Sequence, residues 1–260
     1  MGSPIKQYFE YLSKIAELSN KTGCALQNYI AGRTSIRDYV ISADDKHYAE
    51  VEERIKLTID SLLEAEPLVE HETLDQILEF LASVRQWGVI AEQVHDGFAS
   101  YRNIVQHKVL INFATITKTS NVLLQTAASL TTDMVNDVQT ANVAIMNYLF
   151  SGELNQAENA QHAFDAAKAK IASVGKNNEQ IDSALEAFST SLNQYAVGFR
   201  AAVESRENAY TVFNDTLAPL GTQIQEDLED FYDWLAETEK GINDLKVLAE
   251  HGKKGFPSVH

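Results

Sequence analysis

The chain predicts an all-α protein of six helices, arranged as two stacked four-helix bundles that share two long helices. Three observations carry this. Among 260 residues there are four prolines and 12 glycines, so very long stretches hold no strong helix breaker. Apolar residues recur through those stretches in steps of three and four. The sequence also repeats once: Ile36-Arg37-Asp38-Tyr39-Val40-Ile41-Ser42 returns as Ile145-Met146-Asn147-Tyr148-Leu149-Phe150-Ser151, and Phe80 to Trp87 returns as Phe188 to Tyr195. A tandem helical unit with a turn after each Tyr-x-x-Ser follows.

The first helix is expected from about Pro4 to Ser42, proline being suited to a first helical turn. Ala43-Asp44-Asp45 ends it, and Asp44 or Asp45 caps a second helix from about His47 to Ala65. That helix stops before Pro67, because the residue preceding a proline disfavours the α region. The third begins around His71-Glu72-Thr73 and keeps its apolar stripe through Ile77, Leu81, Val84, Val94, Phe98, Val105 and Val109 to near Leu130. Thr131-Thr132-Asp133 is rich in capping residues and is read as an interruption. A fourth helix then runs to Ser151 and is broken by Gly152, and a fifth spans about Asn155 to Val174. Gly175-Lys176-Asn177-Asn178 turns into the sixth, which carries Phe188, Phe199, Phe213 and Phe231 on one stripe and is kinked by Pro219 and Gly221. The third and sixth helices exceed the height of one bundle and the others do not, so the long pair must serve both bundles. Residues 1–100 with 207–250 form one bundle and residues 101–206 the other. Both chain ends fall at one end, as required of a domain looped out between two transmembrane helices.

Composition narrows the function. A formal net charge of -16 repels phosphate backbones and anionic membrane surfaces, so nucleic acid is not an expected partner. The lone Cys24 cannot form an intramolecular disulfide and is expected to be a small buried hydrophobe. His47, His71, His95, His107 and His162 are scattered without a His-x-x-x-His pair, and Glu92-Gln93-Val94-His95 has no second copy, so neither metal nor cofactor is expected. Glycine-rich phosphate loops are absent. Glu226, Asp227, Glu229, Asp230 and Asp233 read as a solvated face rather than an acid catalyst, and Trp87 and Tyr195 as packing residues. No enzymatic activity is expected. No apolar run is long enough to span a bilayer, and Met1-Gly2-Ser3-Pro4 shows no signal peptide, so the chain reads as a segment of a longer protein.

Arginine placement supplies the candidate site. The lysines scatter toward helix ends and turns, whereas Arg33, Arg37, Arg85, Arg102, Arg200 and Arg206 fall near the middle of the expected architecture. Arg33 and Arg37 share a stripe with Leu26, Ile30 and Val40, and Arg206 shares one with Ala202 and Ala209, so these guanidinium groups stand where core residues are expected. Each must find a carboxylate partner, a wet pocket or an anionic ligand. Asp38, Asp45, Glu92, Asp96, Glu204, Glu207 and Asp215 offer the first. For ligand binding the first bundle is favoured, through Arg33, Arg37 and Arg85 with Thr211 and Asn214 at the same level of the last helix. In the second copy Arg33 becomes Asn142 and Arg37 becomes Met146, so a second pocket would rest on Asn142, Arg200, Asn193, Tyr195 and His107.

The order short, short, long, short, short, long, together with the Arg-Asp-Tyr-Val-Ile-Ser-Ala-Asp stretch at 37–44 and its echo around Tyr148, resembles the helical bimodular sensor domains of bacterial methyl-accepting chemoreceptors and of some sensor histidine kinases. The resemblance implies a periplasmic domain of an inner-membrane protein, anchored by flanking transmembrane helices and paired as a homodimer. Residues 1–100 with 207–250 would then be the membrane-proximal bundle and 101–206 the distal one. It implies a role in chemotaxis and signal transduction, in which a small organic acid or amino acid is bound by arginines and a signalling helix is displaced. In kinase members of similar shape, the domain docks a periplasmic binding protein instead. The last helix offers no arginine or histidine at the expected level and adds Asp215, which leaves a monocarboxylate or a zwitterion as open as a dicarboxylate.

Overall fold

The computed structural model describes residues 4–254, with side chains over 6–244. Met1-Gly2-Ser3 and Pro257 lie outside the described residues. The elements are α1 (Pro4–Ser42), α2 (Asp45–Ala65), a 3-10 turn (Glu66–Leu68), α3 (His71–Ile104), α4 (Leu110–Ser151), α5 (Leu154–Ser173), α6 (Glu179–Val212) and α7 (Ala218–Lys254). Single π-turns at Val105–Val109 and Phe213–Leu217 join α3 to α4 and α6 to α7 without a break. The protein is all-α: no strand occurs among the described residues.

Six helices were expected, and five continuous helical stretches are found. Thr131-Thr132-Asp133 does not interrupt the helix: Thr131 is buried, and its hydroxyl donates to the Ala127 carbonyl at 2.8 Å. A threonine satisfies a carbonyl inside a helix as readily as it caps one, so the triplet alone does not mark an end. The bend falls instead at Ala127 (φ -151°, ψ 48°). On a straight helix Tyr101 and Tyr148 would be about 70 Å apart. Both rings nevertheless lie against the Arg206 guanidinium, at 5.6 and 5.3 Å. The stretch therefore folds back on itself, at Ala127-Ala128-Ser129, where small side chains permit a tight corner.

The chain divides into two compact units, one taking the described residues up to His95 and from Tyr210 onward, the other Asp96–Ala209. Sequence patterning had put the boundaries at 100/101 and 206/207. In the first unit α1 turns Ile15, Leu18, Thr22, Ala25, Tyr29, Gly32, Ile36 and Tyr39 inward, a strict alternation of three and four. The expected stripe stands one residue further round, and Ile30 and Arg37 on it are exposed. The error has a physical source. Thr22, Ala25 and Gly32 are small, so weighting by large apolar side chains misses the face where α2 comes closest; a Cβ on Gly32 would stand 3.2 Å from that of Arg54. Cys24 falls off the true stripe and is exposed, not buried.

The terminal helices pair antiparallel. The Tyr8 hydroxyl donates to the Ile242 carbonyl at 3.0 Å, Gly23 faces the Tyr232 ring, and Arg33 donates to Thr222 at 2.8 Å. Partners on α7 fall in number as α1 climbs, so the two ends of the described chain leave at one end of this unit. Its core is bound by edge-to-face pairs of Tyr29 with Trp87 (5.4 Å) and Phe80 with Phe231 (5.5 Å). Each fully buried aromatic or aliphatic side chain contributes roughly 1.5–3 kcal/mol. In the second unit four helical segments share one core, in which Ile116, Leu123, Ile145, Tyr148, Phe164, Phe188, Leu192, Tyr195 and Phe199 are the largest members.

The repeat is reproduced in backbone detail. Ala43 and Gly152, 109 residues apart, both take left-handed conformations (φ 54° and 74°) and both donate to the tyrosine four residues back, at 2.6 and 2.7 Å. Ser42 and Ser151 each accept from the amide two residues on, at 3.2 and 3.1 Å. The π-turns are likewise equivalent, at an offset of 108. This revises the expected kink at Pro219 and Gly221: the irregularity is the π-turn just before Pro219, and the first copy has the same π-turn with Ile111 in the proline's place. Pro219 is thus accommodated by the π-turn and does not cause it. Ala43 carries a Cβ in a conformation that costs an L-residue about 1–2 kcal/mol. Ala43→Gly is expected to raise stability by about 0.5–1 kcal/mol after the added freedom of the unfolded chain is subtracted, read as a higher urea midpoint at unchanged slope.

Candidate functional site

Arg33 is the centre of a polar cluster that ties α1 to α7 in the first unit. It stands beside the inward stripe of α1, half-buried, with its guanidinium laid across α7. One Nη donates to the Gln225 side-chain oxygen and the other to the Thr222 hydroxyl. Both acceptors are oriented by their own helix. The Gln225 amide donates to Glu229 at 2.7 Å, which leaves its oxygen for Arg33, and the Thr222 hydroxyl donates to the Ala218 carbonyl at 3.1 Å. The bare backbone of Gly221 makes room: a Cβ there would lie 2.8 Å from Trp87 Nε1 and 3.0 Å from Arg33 Nε. Trp87 Nε1 in turn donates to the Leu217 carbonyl, at the end of the π-turn, at 3.2 Å.

The electrostatics are those of a cation met by neutral dipoles. Burial lowers the Arg33 pKa from its ordinary value, the Tyr29 hydroxyl opposes that, and Arg37 adds to it. The guanidinium stays charged regardless. None of the carboxylates expected as salt-bridge partners pairs with it; Glu229 is one amide removed. Arg37, one turn away, is exposed and makes no hydrogen bond or ion pair with the described residues.

The other expected members are dispersed. Arg85 is exposed and lies two residues before the buried Trp87, about 200° around α3, so it does not join Arg33. Thr211 and Asn214 are exposed as well. They lie about 16 Å, some three turns, from the true partners, Thr222 and Gln225. The π-turn between them adds a residue to the count and turns the face of the helix, so neither level nor face could be carried across it by α-helical spacing. Gly221 was the overlooked signal, since a glycine inside a long helix marks a close approach.

In the second unit the equivalents of Arg33, Trp87 and Gly221 are Asn142, Tyr195 and Phe113. Phe113 packs against Tyr195 (6.3 Å), so a ring replaces the glycine gap that admits a guanidinium in the first copy. Asn142 Oδ1 and the Tyr195 hydroxyl are buried without a hydrogen-bond partner. Arg200 is exposed and donates to Gln161 on α5 at 3.3 Å, and Asn193 and His107 are exposed too. The structure does not bring these residues together as a pocket. Arg206 lies half-buried on the stripe it shares with the buried Ala202 and Ala209. It donates to the Tyr148 carbonyl at 3.2 Å, where its charge complements the negative end of α4, and it lies over the Tyr101 and Tyr148 rings.

Compared with protein-family models and with the sequences of characterised proteins, the chain matches none. Among the described residues no helix is long and apolar enough to cross a membrane.

Proposed function

We propose that the chain is an extracytoplasmic ligand-sensing domain of a transmembrane chemoreceptor, formed as two four-helix bundles stacked end to end on α3–α4 and α6–α7. In this reading it is a homodimeric periplasmic domain with no enzymatic activity, and a small organic acid or amino acid binds at Arg33 and Arg37. The observation that carries the reading is the bridge from Arg33 on the first helix to Thr222 and Gln225 on the last. An anion that competes for the guanidinium exchanges two neutral acceptors for a charged one, a stronger hydrogen bond in a half-buried setting. It thereby alters the tie between the two helices that lead out of the unit at the same end. Differential affinity for the two packings supplies the energy of the signal.

Titration calorimetry of the whole chain with mono- and dicarboxylates and amino acids tests this. Binding by at least one of them is expected, weakened about tenfold or more by Arg33→Ala and less by Arg37→Ala. No heat from any compound, or unchanged binding by Arg33→Ala, would sink the reading.

A second reading, the sensor domain of a hybrid histidine kinase that docks a periplasmic binding protein, draws support from a different observation. Val143, Met146 and Phe150 form one exposed apolar stripe on α4, and Phe150 is 95% exposed. An uncharged stripe on so acidic a chain suits a protein partner. Phe150→Asp would abolish capture of such a partner and leave small-acid binding unchanged.

A further inference from the structure

A cavity of about 550 Å³ lies in the first unit between the start of α3 and the middle of α7, within the usual size of small-molecule sites. Its aromatic wall is built from Phe80, Phe231 and Trp234. Phe231 stacks on Trp234 (5.7 Å, 28°) and meets Phe80 edge-on (5.5 Å, 62°), which holds the indole in place while leaving it 48% exposed. Glu72 and Glu79 of α3 and Asp227 and Asp230 of α7 also line the cavity. Glu72, Glu79 and Asp230 have no hydrogen-bond or ion-pair partner among the described residues. Asp227 accepts from the Gln223 amide at 2.8 Å.

The duplication provides an internal control. At the same offset of 108 that relates the π-turns, Glu72, Glu79, Asp227 and Asp230 correspond to Gln180, Ala187, Thr119 and Val122, and Trp234 corresponds to Thr126. The packing residue Phe80 keeps its counterpart, Phe188, which is buried as well. The fold therefore holds without the four carboxylates and the indole. They are present in one copy only, and all of them line one cavity.

We infer that this cavity binds a small organic polyammonium, with its methylene chain against Trp234 and its charged nitrogens among the carboxylates. A bare indole face and carboxylates without a cationic partner both favour a cation. Spacing separates this ligand from a metal ion. Glu72 and Glu79 stand two turns apart, about 10 Å along α3, whereas a metal needs its oxygens converging within about 2–2.6 Å of one point. No group of described residues converges in that way. A ligand with two or more ammonium groups on an apolar chain matches the length and the lining. The site is independent of the anion reading and of opposite sign, so either can fail alone.

Spermidine titrated into the whole chain at about 0.15 M salt, followed by calorimetry and by tryptophan emission, is the test. Saturable binding with a change in emission is expected. Trp234→Ala and the Glu79→Gln/Asp230→Asn pair should each weaken it about tenfold or more. Glu52→Gln/Glu53→Gln on α2, which removes as much charge elsewhere, should change it less than about twofold. All substituted side chains are exposed, so thermal melts by circular dichroism will match the parent protein. Equal weakening by the two charge-removing pairs, full displacement by magnesium at matched charge, or no saturable binding would each overturn the proposal.

Discussion

Above about pH 10 the protein is expected to lose its helices steeply and cooperatively. Tyr29, Tyr148 and Tyr195 are fully buried. Burial pushes all three phenols up from their ordinary value; Arg206 partly offsets the shift at Tyr148, while Glu207 adds to it. In the unfolded chain the same groups ionise near pH 10. Below that pH both states keep the proton and the tyrosines add no pH dependence. Above it the unfolded chain has released protons that the folded chain still holds, so stability falls with rising pH until the folded pKa is reached. Each group removes about 1.4 kcal/mol per pH unit, so Tyr148 and Tyr195 together remove about 3 from the second unit, against a stability of about 5–15 kcal/mol for a domain. Circular dichroism against pH should place the unfolding midpoint above about pH 11, and the phenolate absorbance that is lost on replacing Tyr29 and Tyr195 by phenylalanine should appear together with helix loss. The Tyr29 and Tyr195 hydroxyls have no hydrogen-bond partner. Tyr29→Phe with Tyr195→Phe should therefore cost little or nothing at pH 7 and raise the alkaline midpoint. A difference in phenolate near pH 10 between the parent protein and the Tyr29→Phe/Tyr195→Phe variant, with the helices of both intact, would contradict the assignment.

The second large effect is expected from Gly152→Ala, at about 2–4 kcal/mol of lost stability. Part of this is conformational, since Gly152 sits at φ 74°. Ala43 shows that an alanine is tolerated at the equivalent turn of the first copy. The larger part comes from Arg206, whose guanidinium atoms stand 2.2–2.5 Å from where the new Cβ would be. The side chain is flexible enough to withdraw, but in doing so it abandons the Tyr148 carbonyl and two aromatic faces. A double-mutant cycle separates the parts: in an Arg206→Ala background, Gly152→Ala should cost only the conformational share, about 0.5–1 kcal/mol. Equal costs in both backgrounds would show that Arg206 takes no part.

These two effects locate what was readable in advance. The Tyr-x-x-Ser repeat, the turn after each copy and the burial of Trp87 and Tyr195 follow from spacing alone, because a 3.6-residue period and a left-handed turn are local properties. The stripe that Arg206 shares with the buried Ala202 and Ala209 was legible for the same reason. The inward face of α1 was misjudged by one residue, since small side chains mark close packing as strongly as large ones mark bulk. The corner at Ala127 carried no glycine, proline or cap signal at all.

By itself, then, the amino-acid sequence determined that the chain is helical, that it is duplicated, where its short turns fall and which copy holds the Arg33–Arg37 pair. Only the tertiary structure decided which residues meet across helices: Arg33 with Thr222 and Gln225 at a gap left by Gly221, and Glu72 and Glu79 with Trp234 around one cavity. Periodicity gives a helix a face, to within about a residue, and leaves its level against a neighbouring helix undetermined. That level depends on corners, π-turns and side-chain reach, which accumulate over the length of a helix and are set when the helices pack.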